Sequence, residues 1–170
     1  MLHRPSNNKP VIVKQPTPLI AAIVGWYTEL VDYLTQFEIA IEAECFVDDV
    51  TNNPRAYSEV TAVHLAALAG KLRMVTQLLK HGSHVNKPNT LGDTPLFEAC
   101  FEGHLSVVKY LIEQGADIDI TNNKGTNALM IACYADNSEI IKYLVEQKAD
   151  LTMSDNEGRN VMFYTVAGGR

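Results

Sequence analysis

The sequence predicts an all-α solenoid of helix-turn-helix units joined by short hairpin-like loops and stacked side by side. Three observations carry this. Gly92, Gly125 and Gly158 stand 33 residues apart, and each precedes a helix start. The column Thr61, Thr94, Asn127, Asn160 keeps the same interval, and every member can accept a hydrogen bond from a free first-turn amide. Apolar residues recur in register as well: Val75, Val108, Ile141, then Leu78, Leu111, Leu144.

The stretch 92–119, GDTPLFEACFEGHLSVVKYLIEQGADID, shows the unit most plainly. Thr94 caps a helix, and Pro95 sits at the first helical position, where its missing N–H costs nothing. That helix reaches Glu102 and turns at Gly103. A second helix over 105–114 places Val107, Val108, Leu111 and Ile112 on one face. Gly115 ends it in the left-handed conformation. Two short helices cannot bury these faces alone, so the unit needs copies on both sides. A small-residue column, Ala66, Ala99, Ala132, Thr165, runs through the first helices. A 33-residue period with a T-P-L-H-x-A-like start resembles ankyrin repeats.

In chain order, residues 1–16 read as a flexible, proline-containing arm with one apolar patch, Val11-Ile12-Val13. The ankyrin-like domain covers 17–170: units at about 17–58, 59–91, 92–124 and 125–157, and a truncated unit at 158–170 that lacks its second helix. In the first unit Trp26 stands where Gly103 would be, which shifts the turn to Gly25. That unit runs 11 residues over the period, and the excess at 36–58 reads as an inserted loop, either part of a binding face or tolerated drift. His64 takes the TPLH position and is expected to tie neighbouring hairpin loops. Asp136 and Lys148 occupy glycine columns and strain the unit at 125–157 if those columns need positive φ. Neither flank carries an evident polar capping unit. This leaves open a fragment, a truncated product, or an array completed by a partner.

The chain of 170 residues carries 20 acidic and 14 basic side chains, a formal charge of −6. This disfavours nucleic acid and anionic membrane as partners and favours basic ones; equally, spread carboxylates serve solubility. The longest apolar run, 19–26, is too short to cross a bilayer. An odd count of three cysteines without a secretory signal points to a reducing compartment, cytoplasm or nucleus.

No nucleophile–base pairing, phosphate-binding glycine loop, HExxH or CxxC is present, so neither catalysis nor a cofactor is expected. Cys100 and Cys133 share one column with Ala67 and Val166, which reads as core packing. A zinc site combining Cys45 with His3 or His104 lacks supporting ligand spacing. The remaining candidate is a concave surface of hairpin tips and first helices. There Asp93, Glu98, Phe101 and Glu102 meet Thr126, Ile131, Tyr134 and Ala135 of the next unit, with Asn156, Glu157 and Arg159 at the last tip. Carboxylates pair with guanidinium and an aromatic face stacks on it, so such a groove suits a basic group. Alternatively Phe101 and Tyr134 only pack between helices.

The strings TPLFEACFEGH with VKYL, and LMIACY, resemble the corresponding repeats of the Fem (feminization) family, over about 17–169. Fem proteins are substrate receptors of cullin–RING ubiquitin ligases whose ankyrin groove reads substrate C-termini, in some members a terminal arginine. The resemblance implies a similar peptide-binding role. Glu102 stands where the family has an arginine-pairing aspartate, Phe101 matches a phenylalanine, and Asp48 or Asp49 matches a second aspartate. The family's first repeat, later repeats, helical domain and cullin-binding box have no counterpart here. Ligase recruitment by this chain alone is therefore not expected. The other reading is a generic scaffold that binds a folded partner.

Overall fold

A computed structural model describes residues 2–3, 10–14, 17–25, 27–36, 45–49 and 58–168. In chain order the elements are β1 (Leu2–His3), β2 (Pro10–Lys14), α1 (Pro18–Val24), α2 (Thr28–Leu34), β3 (Cys45–Asp49), β4 (Ser58–Val60), α3 (Ala62–Leu68), α4 (Leu72–Lys80), α5 (Pro95–Glu102), α6 (Leu105–Glu113), α7 (Ala128–Tyr134), α8 (Ser138–Glu146) and α9 (Val161–Gly168). The helices form two layers. First helices α1, α3, α5, α7 and α9 pack in sequence, and second helices α2, α4, α6 and α8 pack behind them.

The helix starts follow from the cap column. Thr17 Oγ1 accepts from Ile20 N at 3.2 Å, Thr94 Oγ1 from Phe97 N at 3.4 Å, and Asn127 Oδ1 from Met130 N at 3.0 Å. At α3 the ring of His64 takes part: its Nδ1 accepts from Thr61 N at 3.2 Å. This fixes the neutral tautomer, so Nε2–H donates to the carbonyl of Asp93 in the next hairpin at 3.1 Å. The expected tie between loops is thus made by one buried imidazole. Ala66, Ala99 and Ala132 are fully buried, as are Val75, Val108, Leu78, Leu111 and Leu144. Small residues in the first column let neighbouring helices approach, while branched ones fill the space behind.

The N-terminal side differs from the expected arm and loop. β1 to β4 form one antiparallel sheet in chain order, with Ile12 opposite Asp48 and Phe46 opposite Glu59. The Val11-Ile12-Val13 patch is β-branched, a good strand former, and pairs with Asp49, Asp48 and Val47 of the insertion, while Lys14 lies opposite Phe46. β4 then leads directly into the Thr61 cap. Nothing in a 33-residue helical period encodes this pairing, because both strands lie outside it. Gly25 closes α1, as expected of the shifted turn, but with φ −76° rather than in the left-handed region.

The two glycine columns do demand positive φ. Gly70 and Gly103 adopt 69° and 83°, and Asp136 follows them at 56°. Gly82 and Gly115 adopt 100° and 88°, and Lys148 follows at 66°. α8 is therefore bracketed by two strained residues.

The last unit docks through polar as well as apolar contacts. A Cβ added at Gly168 would run into the carbonyl of Tyr134, so α9 lies close against α7. Tyr164 OH donates to the buried Asp155 Oδ2 at 2.6 Å and meets Thr126 Oγ1 of the preceding unit at 3.2 Å. Arg159 Nε donates to the same Asp155 oxygen at 2.7 Å. Burial alone would raise the Asp155 pKa. The hydrogen bonds from Tyr164, from Arg159 backbone and side chain, and from Glu157 N–H overturn this and hold it well below the usual carboxylate range. Val166, expected in the buried column with Cys100 and Cys133, is instead exposed: no described helix packs over that side of α9.

These features predict changes in stability. Lys148→Gly should stabilise the protein by about 1 kcal/mol in urea unfolding, and Asp136→Gly by less, since aspartate tolerates the left-handed region better. Gly115→Lys should cost about as much as Lys148→Gly gains, since a Cβ there meets nothing within 4 Å. The Asp155 pKa is depressed on folding, so its contribution is full above the unfolded value of about 3.9 and is lost as pH falls through the folded value. The stability difference between the wild type and Asp155→Asn should therefore stay constant from about pH 7 to 5 and close below about pH 4, read by chemical denaturation at each pH.

Candidate functional site

Three hairpin tips share one closure. Asn89 Oδ1 accepts from Leu91 N and Asp93 N, both at 2.9 Å. Asn122 Oδ1 accepts from Lys124 N and Thr126 N at 2.9 and 3.0 Å, and Asp155 Oδ1 from Glu157 N and Arg159 N at 2.9 Å each. Each side chain holds its turn from inside, as asparagine and aspartate do. The tips then join edge to edge: Asn123 N donates to Leu91 O and Asn156 N to Lys124 O, both at 3.0 Å. Their side chains repeat the step, from Asn123 Nδ2 to Thr90 O and from Asn156 Nδ2 to Asn123 O, both at 2.9 Å. A Cβ at Gly92 would lie 2.7 Å from the Asn123 amide nitrogen, so glycine is required by space as well as by φ.

A second row of ties runs behind the tips. His104 Nε2 bonds the Leu68 carbonyl at 3.0 Å, and Asn137 Nδ2 donates to the carbonyls of Cys100 and Phe101 at 2.8 and 3.2 Å. The sequence reading did not single out Asn89, Asn122, Asn137 or Asp155, and weighed His104 only as a zinc ligand. Their signal was present, since Asn89, Asn122 and Asp155 stand 33 apart, as do His104 and Asn137.

The expected groove residues separate into three groups. Asp93 and Glu98 are buried, at 2% and 6% exposure, and do not line an open face. Asp93 Oδ1 accepts from Asn122 Nδ2 of the next tip at 2.8 Å, so its carboxylate serves the tip-to-tip junction. Glu98 shares a column with Leu65, Ile131 and Tyr164, all buried, on the side of each first helix that packs against the preceding one; Asn89 Nδ2 reaches its Oε1 at 3.5 Å. Thr126 and Ile131, expected on the same surface, are buried in the same way. Phe101 and Glu102 are half-buried, and Tyr134 is 43% exposed. These three sit at the ends of neighbouring first helices, bridged by Asn137. Asp48 and Asp49 lie on β3, opposite Ile12 and Val11, and their side chains fall outside the described residues. So do those of His3 and Cys45.

Burial pushes the Cys100 thiol far above its ordinary value, and burial likewise raises Cys133 against a hydrogen bond from Thr165. Thiols held protonated in this way are poor nucleophiles and poor ligands. Among the described residues, no group of three or more His, Cys, Asp and Glu is placed to hold a metal ion, and no helix is long and apolar enough to cross a membrane. An open surface hollow lined by Tyr27, Thr28, Glu29, Leu30 and Arg73 includes none of the candidate residues.

A family model described as ankyrin repeats (3 copies) matches residues 43–122 and 102–170. No curated protein matches the chain. The two family matches together span well over half of the 170 residues, and they coincide with the stacked units and laddered tips. The chain belongs to the ankyrin-repeat family.

Proposed function

We propose that the chain is a non-enzymatic ankyrin module that binds a peptide with a basic end, as the substrate-recognition part of a Fem-type ubiquitin-ligase receptor does. The observation that carries this reading is the row Phe101, Glu102, Tyr134. An exposed ring stands one unit along from a half-buried one, with a carboxylate beside it. A guanidinium on such a row gains ring stacking, roughly 0.5 to 2 kcal/mol, and a charge-assisted hydrogen bond. The net charge of −6 adds long-range attraction for a cationic segment. Family membership supports the coarser part, since ankyrin repeats mediate protein–protein interaction.

The burial of Asp93 and Glu98 favours a second reading. With both withdrawn into packing, the acidic groove keeps one carboxylate, Glu102, among the described residues, which suits a generic scaffold with a wide footprint on a folded partner. Titration calorimetry separates the two. On the first reading, a peptide with a free C-terminal arginine binds, Glu102→Arg weakens it about tenfold or more, and C-terminal amidation weakens it too. Equal affinity for the amidated and free-acid peptides counts against that reading. Joint truncation of Phe101 and Tyr134 to alanine should abolish binding on the peptide reading. On the scaffold reading, where the energy is spread over more contacts, it should leave most of the affinity for a folded partner.

A further inference from the structure

The net charge of −6 is unevenly laid along the stack. From Val60 to Gly92, one full period, the chain has four basic residues, Lys71, Arg73, Lys80 and Lys87, and no acidic one. Each of the next two periods, 93–125 and 126–158, has six acidic residues and two basic ones. The unit built on α3 and α4 is therefore a cationic step in an anionic stack. Equivalent positions show the reversal. Lys80 stands where α6 and α8 have Glu113 and Glu146, and His84 stands where the following turns have Asp117 and Asp150. All six are exposed.

The helix α4 buries Met74, Val75 and Leu78 and turns its other side outward. Arg73, Gln77 and Lys80, four and three residues apart, share that outer side, and the exposed His81 and His84 follow past the helix end. Arg73 donates to Asp32 Oδ2 of α2 at 2.7 Å, yet its side chain stays 68% exposed, so most of it still meets solvent. At 1.5 Å of rise per residue, Arg73 and Lys80 stand about 10 Å apart along the axis, which an extended chain covers in about three residues. From this charge complementarity, we propose that the outer face of α4 binds a short acidic segment of a partner protein, extended along the helix with carboxylates about three residues apart. Width selects this occupant. The strip is one helix wide: the exposed Glu29, which lines a surface hollow with Arg73, borders it on the α2 side, and Glu113 lies one unit on in α6. Packed helices are only about 8–10 Å apart. A nucleic acid or an anionic membrane presents charge over a broader front and meets those carboxylates, whereas one extended strand does not. The site is separate from the Phe101–Glu102–Tyr134 row, which suits a cation, and stands independently of it.

Fluorescence anisotropy on the full chain tests this with a labelled peptide that carries glutamate at every third residue in a serine background. The peptide should bind the wild type, and raising the salt from about 0.05 to about 0.5 M should weaken it several-fold. Lys80→Glu should weaken binding about fivefold or more, and Lys80→Gln by less; unchanged thermal melting by circular dichroism confirms that each folds. Lys142→Glu changes the net charge as much as Lys80→Glu does, but it lies on α8 in an acidic unit and should leave binding as in the wild type. Equal weakening by Lys80→Glu and Lys142→Glu would overturn the proposal, because overall charge rather than the α4 strip would then decide. Tighter binding of a labelled single-stranded oligonucleotide, or of phosphatidylserine vesicles, than of the peptide would overturn it too. So would a peptide that fails to bind at the lower salt.

Discussion

A pair of seven- to nine-residue helices cannot enclose two apolar sides, and that constraint shapes everything else here. Each first helix needs one neighbour in front and another behind. The alanine column makes the approach close, and the second helices seal the back with valine and leucine. Cohesion is therefore a property of the steps between units rather than of any single unit.

Apolar contact alone would let the pairs slide, and polar rungs prevent this. His64 reaches the Asp93 carbonyl, His104 the Leu68 carbonyl, and Asn137 the carbonyls of Cys100 and Phe101. At the tips, Asn123 and Asn156 hand their amides to the unit before. Each bond is worth only about 1 kcal/mol net, but leaving such a buried backbone group unmet costs more. The rungs thus penalise every shifted register and leave one.

The periodic part of the molecule was legible in the sequence because a 33-residue interval aligns caps, glycines and apolar columns at once. It also flagged Asp136 and Lys148 as misfits, and their φ values agree. The sheet was not legible. Val11-Ile12-Val13 and the insertion lie off the period, and pairing between distant strands has no local signal beyond β-branching. Site prediction was limited in another way. Periodicity says which residues are equivalent, not which column faces outward, so Asp93 and Glu98 read as groove residues although one closes a tip junction and the other lies between helices. Phe101, Glu102 and Tyr134 stay half-buried or exposed because they stand at helix ends, where packing thins out.

The bracketing of α8 has a consequence for motion. Asp136 precedes its cap and Lys148 follows its end, both held in the left-handed region. When α8 lifts away, both torsions relax together. No such relief accompanies the release of α4 or α6, whose equivalent positions are glycine. Slow amide hydrogen exchange should therefore grade unevenly along the outer layer, with α8 forming its own low-lying cooperative unit while α4 and α6 exchange only with the whole.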